Sequence, residues 1–149
     1  MMVQVVAVAE AHRAAWQRLY QGYADFYRRP SDDAHKAVVW GWLMDPAHEL
    51  EGYVALLDGA PRGLAHVRRM PSPLRGQDIG FLDDLFVDPG ARGHRLGEHL
   101  LDFVADLARK RGWGVVRWIT ADDNYRARTL YDRIATKTAW NLYEMQAKS

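Results

Sequence analysis

The strongest constraint on the fold lies in residues 79–98. Ile79-Gly-Phe-Leu-Asp-Asp-Leu-Phe-Val87 has the length and the aromatic and β-branched content of a strand. Asp88-Pro89-Gly90 ends it. A loop with Gly90, Gly93 and Gly97 follows, and then Leu96, Leu100, Leu101, Val104, Leu107 and Ala108 recur at helical spacing to about Lys110. Arg109, Lys110 and Arg111 complement the C-terminal dipole of that helix, and Gly112 suits the residue just past its end. A strand feeding an amphipathic helix has to bury the helix stripe on the sheet that holds the strand, so the chain is a layered protein of sheet and helices.

The remaining elements fall around this unit. Val3, Val5, Ala7 and Ala9 mark an opening strand. Ala15, Trp16, Leu19, Tyr20, Tyr23 and Phe26 give a helix over about 11–27, which Arg28-Arg29-Pro30 ends. Ser31 can cap a second helix with Ala34, Val38, Val39, Trp42 and Leu43 as its stripe, stopped by Asp45-Pro46. Strands are predicted over 51–57 and 63–69, joined by a Gly/Pro turn at 58–62, and a loop over 71–77 precedes the long strand. After Gly112, a strand is predicted over 115–120. Asn124 can cap a last helix with Ala127, Leu130, Tyr131 and Ile134 inward, and a strand over 140–145 closes the chain. The order β-α-α-β-β-β-α-β-α-β implies one α+β domain over residues 1–149, with a mixed sheet and helices packed on it.

Composition narrows the function. The chain has 149 residues, 48% hydrophobic and 26% charged, ordinary for a single globular domain with a real core. A net charge of +1 argues against a general nucleic-acid binder or a polybasic membrane protein. With no cysteine, there is no disulfide framework, thiolate zinc site or Cys nucleophile, which fits a reducing, cytoplasmic setting. The serines are Ser31, Ser72 and Ser149, none in a G-x-S-x-G elbow. Residues 1–9 lack the basic flank of a signal peptide, and no apolar run approaches the ~20 residues of a membrane span. The histidines make no metal site: His94 and His99 are five apart, and H-E-x-x-H is absent.

The loop at 90–98 carries the chemistry. A helix N-terminus offers unpaired N–H groups and partial positive charge, and a glycine-rich approach lets phosphate come close. Arg92, His94 and Arg95 sit beside it, so the segment reads as a pyrophosphate cradle; the bland reading is a Gly-rich turn capping a core helix. It is neither a P-loop nor G-x-G-x-x-G. Asn124 and Tyr131, seven residues apart, lie two turns apart on nearly one face of the last helix. Their bland reading is an N-cap and a core tyrosine.

Together these elements resemble the GNAT superfamily of N-acetyltransferases, across the whole element order and most sharply over 81–131. The family's acetyl-CoA signature, Arg/Gln-x-x-Gly-x-Gly/Ala, reads here Arg92-Gly93-His94-Arg95-Leu96-Gly97, with Arg95 replacing the middle glycine. The resemblance implies a mixed, mostly antiparallel central sheet flanked by helices, and acetyl-CoA as co-substrate. It implies that Leu85, Phe86 and Val87 hold the acetyl-pantetheine arm, and that Arg92, Gly93, His94, Arg95, Leu96, Gly97 and Glu98 hold the phosphates. Asn124 and Ala127 match positions lining CoA, and Tyr131 matches the catalytic tyrosine. Asp83-Asp84 and the ending from Tyr131 to Tyr143 look most like the diamine and histone/polyamine branch, although Ala135-Thr136-Lys137 replaces that branch's usual Gly-Phe.

The implied reaction is direct acetyl transfer to an amine. A primary amine with a pKa near ~10 must lose a proton to attack. Asp83 or Asp84 can take it, directly or through water. Strand alternation puts the two on opposite faces, which leaves one for the cleft; Asp83 is the expected base and Asp84 a substrate contact on a bulged strand. A backbone N–H near Leu85 would stabilise the oxyanion, and the Tyr131 phenol would protonate the departing sulfur. Residues 23–42 would wall the acceptor site, with Tyr23, Tyr27, Trp40 and Trp42 beside Asp25, Asp32 and Asp33 suiting a cation; aromatic core plus solvated charge is the bland alternative. The expected partner is a small-molecule or lysine-like amine, with neither nucleic acid nor membrane, and the terminal strand at 140–145 is a candidate homodimer seam. Two other classes remain at this stage: a non-catalytic acyl-CoA sensor of the same fold, and a nucleic-acid module built on Arg62, Arg68, Arg69 and Arg75.

Overall fold

The computed structural model describes residues 1–148. They form two compact units, Met1–Ile119 and a second one that starts at Thr120. No helix among the described residues is long and apolar enough to cross a membrane.

The first unit carries a five-stranded sheet in sequence order: β1 (Val3–Ala7), β2 (Leu50–Leu57), β3 (Ala60–Ser72), β4 (Gln77–Val87) and β5 (Val116–Arg117). The first four are antiparallel neighbours, and β5 alone runs parallel to its neighbour β4. The β2–β3 turn is tighter than the predicted 58–62: Leu57 pairs with Ala60 across Asp58 (φ 50°) and Gly59 (φ 87°), the positive φ pair of a type I′ hairpin. The β3–β4 loop is likewise shorter than 71–77, because Pro71 and Ser72 still pair with Asp78 and Gln77.

Helices α1 (Arg13–Phe26) and α2 (Asp33–Met44) cover one face of the sheet. There Trp16, Leu19, Val39, Trp40 and Leu64 form a buried cluster, with Leu50 and Phe86 packed against it. Asp32, rather than Ser31, caps α2: its Oδ1 accepts from His35 N at 2.8 Å. Ser31 lies one residue too early, and its hydroxyl meets His35 Nδ1 instead. Helix α3 (Leu96–Arg111) takes the other face, where the Phe103 ring lies 4.8 Å from that of Tyr53. Gly112, at φ 75°, ends it as expected.

Strand β4 bends where it matters. His66 pairs with Asp84 and Val67 with Leu82, so Asp83 is one extra residue on β4, a bulge. Bulges kink and twist a strand. On the far side, β5 pairs with β4 only at Gly80 and Phe81. The strand predicted over 115–120 therefore shrinks to two residues, and β4 has no strand partner on that side from Leu82 to Val87.

The second unit holds α4 (Tyr125–Ile134). Asn124 occupies the N-cap position, but its side chain makes no cap; Nδ2 donates to Thr120 Oγ1 at 3.1 Å. The strand predicted over 140–145 does not form. Trp140, Leu142, Tyr143 and Met145 are exposed, and this unit contains no second strand among its described residues to pair with them. Aromatic and alternating content favours a strand only where a sheet edge receives it.

Candidate active site

Residues of α1, α2, the segment 48–50, β3 and β4 meet at the β4 bulge, around a cavity of about 480 Å³. Val39, Trp42 and Leu50 supply apolar lining; Tyr20, His48, Glu49, Arg68, Asp83 and Asp84 supply the polar groups. The expectation that alternation leaves only one aspartate for the cleft is corrected here. The bulge interrupts alternation between residues 82 and 84, and both carboxylates line the same space.

The two carboxyls have different environments. Asp83 Oδ2 accepts from Arg68 Nε at 2.8 Å. Burial nevertheless holds its carboxyl above the ordinary carboxylate range, with the nearby charge of Asp84 adding to the effect against Arg68. Asp84 Oδ2 is 2.8 Å from His66 Nδ1. Burial is the largest influence on Asp84 and pushes it up, but the hydrogen bond from His66 and the nearby Tyr23 hydroxyl outweigh that and hold it below the usual range. Two neighbouring carboxyls pushed in opposite directions are suited to different tasks, one trading a proton and the other staying charged.

Aromatic side chains frame the pair. The Tyr23 hydroxyl donates to the Asp83 carbonyl at 3.4 Å, and its ring meets those of Phe86 and Tyr27 edge-on. Burial, then the charge of Asp84, keeps the Tyr23 phenol well above the ordinary tyrosine range. Tyr20 is pushed up to about 12, first by burial and then by Asp84 and Asp83, and its ring stacks on His66. Both phenols are therefore neutral donors at physiological pH. Trp42 stacks on His48 at the cavity rim, whereas Trp40 is core, packed on Trp16. Asp32 is used up as a helix cap, and Asp25 accepts from Gln21.

The other end of β4 leads into the glycine loop. Leu85, Phe86 and Val87 pair with Ala65, Leu64 and Gly63, and their opposite edge has no strand partner. Asp88 ties the loop down: Oδ2 accepts from Arg62 Nε at 2.9 Å and Oδ1 from Gly90 N at 3.0 Å. A short 3-10 turn (Pro89–Ala91) follows, then Arg92 in extended backbone, Gly93 at φ 94°, His94, and Arg95 at φ 59°. Buried Ala91 and Leu96 pin the loop, while Arg92 and Arg95 are exposed. Arg95 makes no side-chain cap on α3, so the amides of Leu96, Gly97 and Glu98 form an uncapped first turn. This arrangement fits a pyrophosphate, and the open edge of β4 fits an extended amide-bearing arm beside it.

Sequence reasoning named Asp83, Asp84, Tyr23, Tyr27 and the glycine loop, and the first unit brings the aspartates and Tyr23 together. Asn124, Ala127 and Tyr131 lie at the cap position and along α4 of the second unit. His66, Trp16, Tyr20 and Glu49 were missed as site residues. The available signal for His66 was its place as the one polar residue in Gly63-Leu-Ala-His-Val67. Arg68, raised as one of four arginines that could form a basic patch but more readily lie along a strand near the substrate, lines the cavity, and Arg62, Arg68 and Arg69 pair with Asp88, Asp83 and Asp78.

Arg95 occupies a left-handed backbone position that costs an L-residue roughly 1–2 kcal/mol and glycine nothing. Part of that gain is offset because glycine also frees the unfolded chain. Arg95→Gly is expected to raise Tm by about 2–4 °C in differential scanning calorimetry. The same variant, losing an exposed cation beside the loop, is expected to bind CoA more weakly by titration calorimetry.

The chain is a member of the GNAT acetyltransferase family: the Acetyltransferase (GNAT) family profile matches residues 16–135. It is 28% identical over 144 residues to the D-amino-acid N-acetyltransferase HPA3 of Saccharomyces cerevisiae, covering 95% of this chain and 89% of that protein. It is 31% identical over 121 residues to the uncharacterized N-acetyltransferase YhfO of Bacillus subtilis, covering 80% of each. The fold is also that of AAC(6')-Iy solved with the bisubstrate analog CoA-S-monomethyl-acetylneamine, at TM-score 0.81 and 17% identity over the full length of both chains. The protein is therefore an acyltransferase, of a family that uses acetyl-CoA.

Proposed function

We propose that the protein moves an acetyl group from acetyl-CoA directly to a small primary amine, with Asp83 as the base. The observation that carries this reading is the carboxylate pair at the β4 bulge, one carboxyl raised and one lowered, in a single cavity. Asp84 holds the ammonium form of the acceptor, and Asp83 takes its proton. Bound acetyl-CoA supplies the activated carbonyl and a thiol leaving group. The backbone N–H near Leu85 faces the developing oxyanion, and Tyr131 gives the departing sulfur a proton. The residues of 92–98 hold the phosphates, Leu85 to Val87 hold the arm, and Asn124 and Ala127 add contacts along CoA.

The acceptor is best matched by an amino acid. Its ammonium suits Asp84 and Glu49, and its carboxylate suits Arg68 on the same cavity wall. The activity named for the yeast relative adds support. A polyamine carries no carboxylate to add to the Asp83 contact that Arg68 already makes. A cytoplasmic location, on the cysteine-free composition, and a homodimer seam along the exposed side chains of 140–145 belong to the same reading.

The test is free-thiol release from acetyl-CoA across D- and L-amino acids, polyamines and lysine peptides. Amino-acid turnover is expected. Turnover of polyamines alone reinstates the diamine and polyamine branch. CoA at 100 times its Kd is expected to stabilise the fold by about 2.7 kcal/mol, a rise of roughly 5–10 °C in Tm. A full thermal shift with no thiol release from any amine leaves an acyl-CoA sensor.

A further inference from the structure

The contact behind Asp84 has a fixed polarity. Trp16 Nε1 lies 3.0 Å from His66 Nε2, and an indole N–H only donates. His66 Nε2 is therefore the acceptor. The ring proton sits on Nδ1, which donates to Asp84 Oδ2 at 2.8 Å. His66 is 0% exposed and Trp16 1%, so bulk water offers neither group another partner.

We propose that Trp16 locks His66 as the neutral Nδ1–H tautomer, so that His66 positions Asp84 without cancelling its charge and the cavity presents a full negative charge to a cationic acceptor. The cationic acceptor rests on the function proposed above; the tautomer does not. An imidazolium in the same place sets two N–H groups against each other at Nε2, and it turns His66 and Asp84 into a neutral couple. His66 is a positioning residue in this scheme, and Asp84 is the group that meets the amine.

The charged and titratable groups around the couple come from every packed element. Helix α1 contributes Tyr20 and Tyr23, α2 contributes His35, β4 contributes Asp83, and β3 itself contributes Arg68. On β2 the residue opposite His66 is Gly52, which brings no charge. Arg68 is engaged by Asp83, so it does not take over the neutralisation of Asp84.

Two measurements test the lock. In protein labelled with 15N-histidine, the His66 ring is expected to show a protonated Nδ1 and a bare Nε2 at neutral pH. An Nε2–H tautomer or an imidazolium at neutral pH overturns the proposal. Trp16→Phe removes the indole N–H and with it the contact that keeps Nε2 bare. The KM for the acceptor is then expected to rise about fivefold or more over wild type, while the KM for acetyl-CoA stays within about twofold. An unchanged acceptor KM overturns the charge argument. The ring measurement needs no variant, so it decides the tautomer even where W16F does not fold. An inactive wild type with a locked ring removes the proposed amine transfer and leaves the lock standing.

Discussion

Asp83→Asn should lower kcat by about 10²–10⁴ while leaving the protein at least as stable as wild type. The two halves of this result have one origin. Burial raises the Asp83 carboxyl above its ordinary range, so the ionised form is disfavoured in the folded state. For a carboxyl whose folded value exceeds its unfolded value, ionisation subtracts from stability at neutral pH, and protonation as pH falls removes that penalty. The neutral amide removes it at every pH. Arg68 keeps an acceptor in the amide oxygen, and it is partly exposed to water besides. Steady-state kinetics with acetyl-CoA and the preferred amine, alongside calorimetric melting, check both halves. Wild-type kcat in the Asn variant would falsify the assignment of the base. A large fall in Tm would mean that the Asp83–Arg68 pair holds the sheet together.

Tyr131→Phe should also lower kcat by about 10²–10⁴, with the KM for acetyl-CoA nearly unchanged. The substitution keeps the ring and deletes the hydroxyl, so the loss is confined to the step in which sulfur takes a proton. A thiolate leaves more readily than an alkoxide, so water partly substitutes and the low end of the range is the better expectation. The converse pattern, reduced stability with turnover intact in the folded fraction, assigns Tyr131 to packing. The measurement belongs under conditions where chemistry limits the rate, because slow product release hides a slower chemical step.

The sequence was informative where structure is local. The stripe of α3, its C-terminal Gly112 and the Gly-rich loop all depend on residues within a few positions of each other, and they fell where periodicity and turn chemistry put them. The four antiparallel strands were legible for the same reason, with ends displaced because hairpin turns are decided by φ as much as by composition. What failed was non-local. The lengths of β5 and of the strand predicted over 140–145 are set by tertiary pairing, which no window of sequence contains. Asp83 and Asp84 were recognisable as chemistry-bearing, but their shared cavity depends on a bulge set by pairing with His66 and Val67. Sequence alone does not single out His66. Its partners are 18 residues away at Asp84 and 50 away at Trp16; the β3–β4 register brings the first and the packing of α1 on β3 the second.

The unfinished side of β4 also bears on solubility. A strand edge without a partner is a template on which another chain can add itself, and natural sheets guard such edges with charge and irregularity. From Leu82 to Val87 this edge carries both devices, because the bulge breaks the flat repeat and Asp83 and Asp84 interrupt an otherwise apolar run. The two aspartates thus put charge on an exposed stretch of sheet edge, the device that natural sheets use against edge-to-edge pairing, and in the proposed reaction the same pair would handle an amine.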